Sequence, residues 1–406
     1  MKNSTIKSIL VALVAMFPFS MVYGVVFAIV NPSDKPLTSK SITIQRGALE
    51  KIIGKMVEGN YAWLQQEDNE PVFAQLDDLD GDGHWDELFT QLDFGQIERK
   101  SFGIKIHKGI APVKFKTNIR FADFNDPSKE FVTAERLKSK VTEISSKILQ
   151  LEGPGWENEV VAFRNYFDAR NGIDIFGKIT NAMVLDSIGL KNGPTYHEMG
   201  SWGMDILKVG NSLGAGALAI QSGKDLFRLG ENGKGTFNSV VEGPIRSVFD
   251  LDFEEVSIDG FVLKVKHRIS IEAGKPYYKS EVFIEGAKSV KLVAGLVNLQ
   301  TESYMKGAVN GFSALYTHDN QAYNGEKLGM AIFVPQRKIN VVTAPEVGEG
   351  ITQTFYFALP VKKQPIVFYF MAGWEKQNQD YSTVEGFRGS LFKEIENVSA
   401  KITVSE

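Results

Sequence analysis

Short runs of alternating apolar and polar residues, punctuated by glycine, recur along most of this chain, and that period of two predicts strands. Ser41–Gln45, Val72–Leu76, Glu87–Leu92 and Phe102–Ile106 have this pattern and fit a small N-terminal β domain over residues 25–152. Within it, AERLKSKVTEISSKILQL sets Leu137, Val141, Ile144, Ile148 and Leu151 three or four apart. That spacing predicts an amphipathic helix bridging two domains, with Thr133 as N-cap and Glu135 acidic in its first turn. Beyond Gly153 strands dominate again: Val248–Val256, Phe261–Ile271, Tyr277–Ile284, Val290–Leu299, Lys327–Val334, Gln353–Leu359 and Ile366–Ala372. Their spacing is that of a β-sandwich over residues 153–406. Asp259-Gly260 reads as a hairpin turn. In FVLKVKHRISI, Lys264, Lys266 and Arg268 share one face and His267 takes the other. A short helix over Gly386–Ile395 and a final strand over Ala400–Val404 complete the expectation of a mainly β protein with one or two peripheral helices.

Composition sharpens this picture in few places. The 38 glycines and 28 phenylalanines among 406 residues suit many strands joined by tight turns. A formal net charge of −4 gives no basic footprint for nucleic acid, and an acidic ligand would need locally placed Arg or Lys. Lys2 and Lys7 precede an uncharged stretch from Ser8 to Pro32, the layout of a secretory signal. Cleavage after Gly24, favoured over Ala28 and over an uncleaved membrane anchor, makes residues 1–24 the signal peptide, and the expected location is periplasmic or secreted. With no cysteine there is neither a lipoprotein anchor nor a disulfide.

Three stretches carry candidate chemistry. In DDLDGDGHWDEL, Asp78, Asp80, Asp82 and Asp86 fall at positions 1, 3, 5 and 9 of a calcium loop, with Gly83 at the sharp turn. Phe89 at position 12 excludes a standard EF-hand, so the expectation is a looser, structural Ca²⁺ site. In GPGWENEVVAFRNYFD, a strand over Val161–Phe167 turns Arg164 and Tyr166 to the same side. A guanidinium there suits a sugar carboxylate and an aromatic ring suits a pyranose, although Arg164 paired with Asp168 or Glu157 for structure alone fits equally well. In PTYHEMGSWGMDILKVGNSLGAGALAI, Tyr196, His197, Trp202, Asp205 and Lys208 cluster in a glycine-rich setting. Tyr–His beside Asp and Lys can move protons. NSLGAGALAI lacks the Lys-Ser/Thr of a phosphate loop, which argues against nucleotide binding. No G-x-S-x-G or H-E-x-x-H motif occurs. His318 is a loop candidate from another edge.

These stretches, together with EGPIRSVFDLDF and FYFMAGWE, resemble the domain of unknown function 4861 family over nearly the whole chain. The resemblance implies an exported protein of polysaccharide-utilising bacteria and a fold similar to the galactose-mutarotase-like β-supersandwich. It implies carbohydrate as partner and fixes no reaction. The leading expectation is a lyase or dehydratase acting on uronate-containing oligosaccharides, its partner an acidic oligosaccharide or polysaccharide. In it His197 and Tyr196 are acid and base, Arg164 or Lys208 meets the carboxylate, and Trp156 and Trp202 wall the sugar. Glu157, Asn158, Tyr166 and Asp205 would hold the rest of the substrate. The alternatives are a glycoside hydrolase using paired carboxylates such as Glu157, Glu198, Asp205 and Glu242, a mutarotase-type epimerase, and a non-catalytic glycan-binding protein.

Overall fold

The computed structural model describes residues 26–66, 70–137, 142–231, 233–287 and 289–406, the side chains of 142–144 apart. The expected signal segment lies outside these residues. Among them, four sheets carry the architecture and no helix is long and apolar enough to cross a membrane. A nine-stranded antiparallel sheet runs from Met305–Val309 through Phe312–Asp319, Leu328–Val334, Ile366–Trp374, Tyr277–Glu285, Phe261–Glu272, Arg246–Ile258 and Lys234–Glu242 to Thr133–Glu135. Two five-stranded sheets face it, joined by a parallel bridge between Ile173 and Gly214. One of them runs Gly203–Asp205, Ile173–Lys178, Ala162–Asn165, Gly155–Asn158, Thr117–Arg120. Between the layers lies one large apolar cluster, with Trp156, Phe163, Phe249, Tyr278 and Phe370 in edge and stacked contacts. The protein is therefore a mainly β sandwich, as the alternation predicts.

The N-terminal strands form a separate seven-stranded sheet with its own core around Phe27, Leu64, Leu88 and Phe102. Its edge is the chain's last strand, Thr403–Ser405, which pairs with Phe27–Asn31 and does not join the sandwich. Sheet membership changes between His107 and Thr117, since Thr117–Arg120 already belongs to the sandwich. The Asp259-Gly260 hairpin forms, both residues having positive φ (48° and 81°), as a tight two-residue loop requires.

The bridging helix is corrected. Among the described residues of that stretch, Thr142–Ile148 is α-helical and Gln150–Glu152 forms a 3-10 turn, while Thr133–Glu135 is an edge strand pairing with Lys234–Glu242. The cause is where the backbone donors go: Arg136 N–H reaches Gly235 O at 2.7 Å and Leu137 N–H reaches Phe167 O at 3.2 Å. Those sheet-directed bonds replace a helical first turn, and the Thr133 hydroxyl donates to Asn238 Oδ1 instead of capping. Ile148 is exposed and Leu151 takes a left-handed φ of 59°. Val141 lies outside the described residues. The C-terminal helix is longer than expected, Val384–Ser399, capped by Thr383 and packed through Phe387, Leu391 and Ile395 onto the outer face of the nine-stranded sheet.

Candidate functional site

The outer face of the first five-stranded sheet carries the densest polar chemistry. Antiparallel register sets Arg164 opposite Asp174, and Phe176 opposite Asp205, so residues of three strands share that face. Tyr166 lies two residues along from Arg164 and takes the same side, as the alternation implies. A 24-residue excursion between Lys178 and Gly203 folds over the face and brings Tyr196 and His197 to it.

Arg164 is the hub, and it is 1% exposed. Its Nη2 donates to Asp174 Oδ2 at 2.8 Å, Asp205 Oδ2 at 2.9 Å and Tyr166 Oη at 3.0 Å. Its Nη1 donates to Tyr196 Oη at 2.8 Å and lies 3.4 Å from Glu152 Oε1. Tyr166 donates in turn to Asp174 Oδ2 at 2.6 Å. Arg170 stacks 3.8 Å from the Tyr166 ring centre and binds Glu152 and Asp168. Burial alone would lower the Arg164 pKa, but the surrounding tyrosines and carboxylates hold it well above the ordinary value. Burial, reinforced by Asp205, pushes Asp174 up to about 7 against the pull of Arg164. Asp174 is therefore a carboxylate of this network that takes up a proton near neutrality.

His197 is where this buried network meets solvent. Its side chain is 55% exposed and its Nδ1 sits 3.4 Å from Asp205 Oδ2. The hydrogen bond to Asp205 raises its pKa above 6.5, partly offset by desolvation. The Tyr196 ring lies against the imidazole with centroids 4.4 Å apart. Burial raises the Tyr196 pKa as well, so its hydroxyl stays protonated at neutral pH. Trp202, half-buried, meets Phe176 edge-on. Beside the Tyr196–Trp202 loop opens a cleft of about 550 Å³ lined by Ile179, Met199, Glu326, Glu375, Lys376 and Gln379.

Several expected roles are corrected by burial. Trp156 is fully buried in the sandwich core and presents no face to a sugar. Glu157 is fully buried too, bound to Lys178 Nζ at 2.8 Å and accepting from the backbone of Val184 and Leu185. Asn158 ties its own turn to the carbonyls of Glu272 and Lys275. Arg164 is enclosed by three carboxylates and two tyrosines, which leaves no fork to offer a substrate carboxylate. Tyr166 is buried beside it, its hydroxyl committed to Asp174. Lys208 is exposed, and no hydrogen bond or ion pair joins it to the cluster among the described residues. His318 bonds the carbonyl of Tyr381 and lies against Phe387 of the C-terminal helix.

Sequence alone assigns no role to Asp174, Glu152 or Arg170. Asp174 is legible there, because IDIF alternates and pairs antiparallel with the Arg164 strand. Glu152 is not: consecutive left-handed residues Leu151 and Glu152 (φ 59° and 62°) swing it onto Arg164 and Arg170. Gly153 permits that bend, since a Cβ there would stand 2.1 Å from Asn165 O.

The acidic turn is closed by its own side chains: Asp78 accepts from Gly81 and Gly83, Asp80 from Asp82, and Asp86 from Leu79. Oxygens of Asp78, Asp80 and Asp86 lie within 4.8 Å of one another. Asp82 is outside that group and accepts from His84 N–H, so the fourth expected ligand is corrected.

The stretches expected to carry the family likeness thus lie in the sandwich with its Arg164 network and, for the acidic turn, in the N-terminal sheet. The chain belongs to the family described as Domain of unknown function (DUF4861), which matches residues 29–404. A relative, uncharacterized protein P7 of Formosa agariphila, is 24% identical over 267 residues, covering 61% of this chain and 64% of that protein. Two solved structures from Enterococcus faecalis are similar over 94% of this DUF4861 chain. An α-mannosidase has 10% identity and a TM-score of 0.46. A glycosyl hydrolase family 38 protein has 9% identity and a TM-score of 0.48. The chain spans less than two thirds of the curated relative it matches and about half of each of those structures.

Proposed function

We propose that the protein acts on carbohydrate, as a lyase that eliminates at uronate-containing oligosaccharides with His197 as the base. The observation that carries this is a half-exposed imidazole whose Nδ1 is held by the buried Asp205, itself fixed by Arg164. Such backing sets the tautomer and leaves Nε2 facing outward as a proton acceptor. In the step, Nε2 takes the proton on the carbon beside the carboxylate, the adjacent carbon–oxygen bond breaks, and the imidazolium returns that proton to the departing oxygen. Arg164 acts through Asp205 as a positioning residue, and exposed Lys208 is the charge assigned to the sugar carboxylate. Trp202 and the neighbouring cleft supply the walls. A glycoside-hydrolase reading is favoured by the neighbouring carboxylates Asp174 and Asp205 on one guanidinium, but Tyr166, Tyr196 and Arg164 close those carboxylates off from a glycosidic bond.

Uronate-rich oligosaccharides should yield the ultraviolet absorbance of a conjugated double bond, and His197→Ala should reduce its rate by about 10²–10⁴-fold. New reducing ends without that absorbance would rule out elimination. The same reading includes export to the periplasm or medium, supported by the Lys2–Pro32 stretch. It also includes a structural Ca²⁺ held by Asp78, Asp80 and Asp86, whose clustered hard oxygens suit that ion. Calcium should raise Tm over chelated protein by mass action, and Asp80→Asn should abolish the rise.

A further inference from the structure

The cationic stripe legible in FVLKVKHRISI lies on the other side of the molecule from His197. Register across the nine-stranded sheet builds two rows on its outer face. One runs Asn238, Asp250, Arg268, Glu281, and the other Thr236, Asp252, Lys266, Phe283. Inward neighbours Leu251, Val265 and His267 are buried, which fixes which way the rows face. The Asp78–Gly81 turn of the N-terminal sheet forms a rim above them, pinned where Arg268 Nη2 donates to Leu79 O at 2.9 Å. Between rim and rows is a cleft of about 500 Å³, within the size range of small-molecule sites (about 300–1,000 Å³).

Its lining is preorganised. Asp250 accepts from Arg268 Nε at 2.8 Å and Lys266 Nζ at 3.1 Å, and Asn238 donates to Asp252 Oδ2 at 3.1 Å. Asp252 is not itself part of the lining; its buried Oδ1 lies 3.9 Å from Lys266 Nζ and backs that cation. Phe283, 40% exposed, presents an aromatic surface beside these groups. An aromatic platform flanked by planar donors and acceptors matches a pyranose, whose C–H face stacks while its hydroxyls bridge carboxylate, amide and guanidinium. Charge selects among sugars: with Asp78 and Asp80 committed to the proposed Ca²⁺, Lys266 and Arg268 are both engaged by Asp250. A carboxylated or sulfated residue would find no free counter-charge among these side chains; a neutral one needs none.

We propose that this cleft is a second, non-catalytic glycan site that takes a neutral sugar residue, with Phe283 as platform and Asp250, Asn238 and Arg268 as hydroxyl partners. It rests on the carbohydrate reading above, though not on elimination. The sandwich core separates it from His197, so it would anchor a chain whose processed part lies elsewhere.

The test titrates the full-length protein calorimetrically with gluco-, manno- and galacto-hexaoses, and with oligogalacturonate as the charged comparison. At least one neutral hexaose should bind. Phe283→Ala should weaken that binding about tenfold. Phe261→Ala, an exposed phenylalanine at the hairpin tip outside the cleft, should leave it unchanged. Neutral binding that persists in Phe283→Ala, or binding of oligogalacturonate alone, overturns the proposal. So does the absence of any binding. Phe283-dependent binding without any elimination product supports this site while sinking the lyase reading. Elimination by His197 with no Phe283-dependent binding sinks this site alone.

Discussion

At the scale of single residues, two histidines titrate in opposite senses because one faces a carboxylate and the other faces the core. His197 gains a hydrogen bond from its ring to Asp205, so its folded pKa lies above 6.5. That contact stabilises the fold below pH 6.5 and is lost as pH rises through the raised value. Catalysis as a base needs the neutral ring, so the acidic limb of kcat/KM should lie above pH 6.5. Asp205→Asn should move that limb down and slow the reaction, a shift read directly from the pH profile. If the limb stays put, Asp205 is not tuning the base. His267 is fully enclosed, its Nε2 2.8 Å from Ser280 Oγ, and burial depresses its pKa to about 3. The unfolded chain therefore binds a proton that the folded one refuses. His267 favours folding fully above pH 6.5 and progressively less as pH falls toward 3. Denaturant titrations between those limits should show a smaller loss of stability for His267→Gln than for the parent.

At the scale of elements, what the sequence could reveal depended on whether local pattern or distant partners set the backbone. Arg164 and Tyr166 share a face because a strand alternates, and that follows from the residues between Val161 and Phe167 alone. The stretch through Leu137 has equally good helical spacing, but Gly235 and Phe167 take its backbone donors, and neither partner is visible locally. Trp156, Glu157 and Asn158 had the right chemistry for a sugar site, yet only the layer packed on each side decides burial. The same holds for the excursion between Lys178 and Gly203, which would be a long irregular loop without its buried anchor. Glu157 provides that anchor, holding Lys178 and the backbone of Val184 and Leu185 together. Glu157→Gln should leave a buried lysine uncompensated and cost about 3–5 kcal/mol. Hydrogen exchange should quicken first at Val184 and Leu185. Replacing both partners, Glu157→Gln with Lys178→Met, should recover part of the loss, and no recovery would mean the pair is not the anchor.

At the scale of the whole molecule, the seven-stranded sheet and the sandwich have separate apolar cores, so their coupling rests on what crosses between them. The crossing contacts are polar and buried. Arg246, at the start of a sandwich strand, is 7% exposed and donates to Asp77 and Glu87 on two strands of the N-terminal sheet. Its guanidinium also lies 4.4 Å from the Phe89 ring centre. Gln75 reinforces the join, accepting from the backbone N–H groups of Ile245 and Arg246. A second tie runs through the C-terminal helix, where Lys40 Nζ donates to the carbonyls of Asn397 and Val398. A cation at that helix end is favourably placed. Burial lowers the Lys40 pKa to about 8, so its charge on those carbonyls is fully present below that value and fades as pH rises through it. With these ties and the Arg268–Leu79 bond intact the two cores should unfold as one cooperative transition. Arg246→Met removes the charge while keeping much of the volume, and strands Asp77 and Glu87 in the interface. The expected cost is about 3–5 kcal/mol, much of it the penalty on those two uncompensated carboxylates. Because the N-terminal core keeps its own apolar contacts, the loss should appear as a split melt, with the smaller sheet unfolding first. Calorimetry distinguishes the outcomes: a single transition shifted down in Tm means the apolar surfaces and the remaining ties couple the cores without Arg246. Two resolved transitions assign the coupling to this ion triad. Asp77→Asn with Glu87→Gln in the Arg246→Met background should then restore stability without restoring cooperativity, because it removes the buried charge but not the missing link.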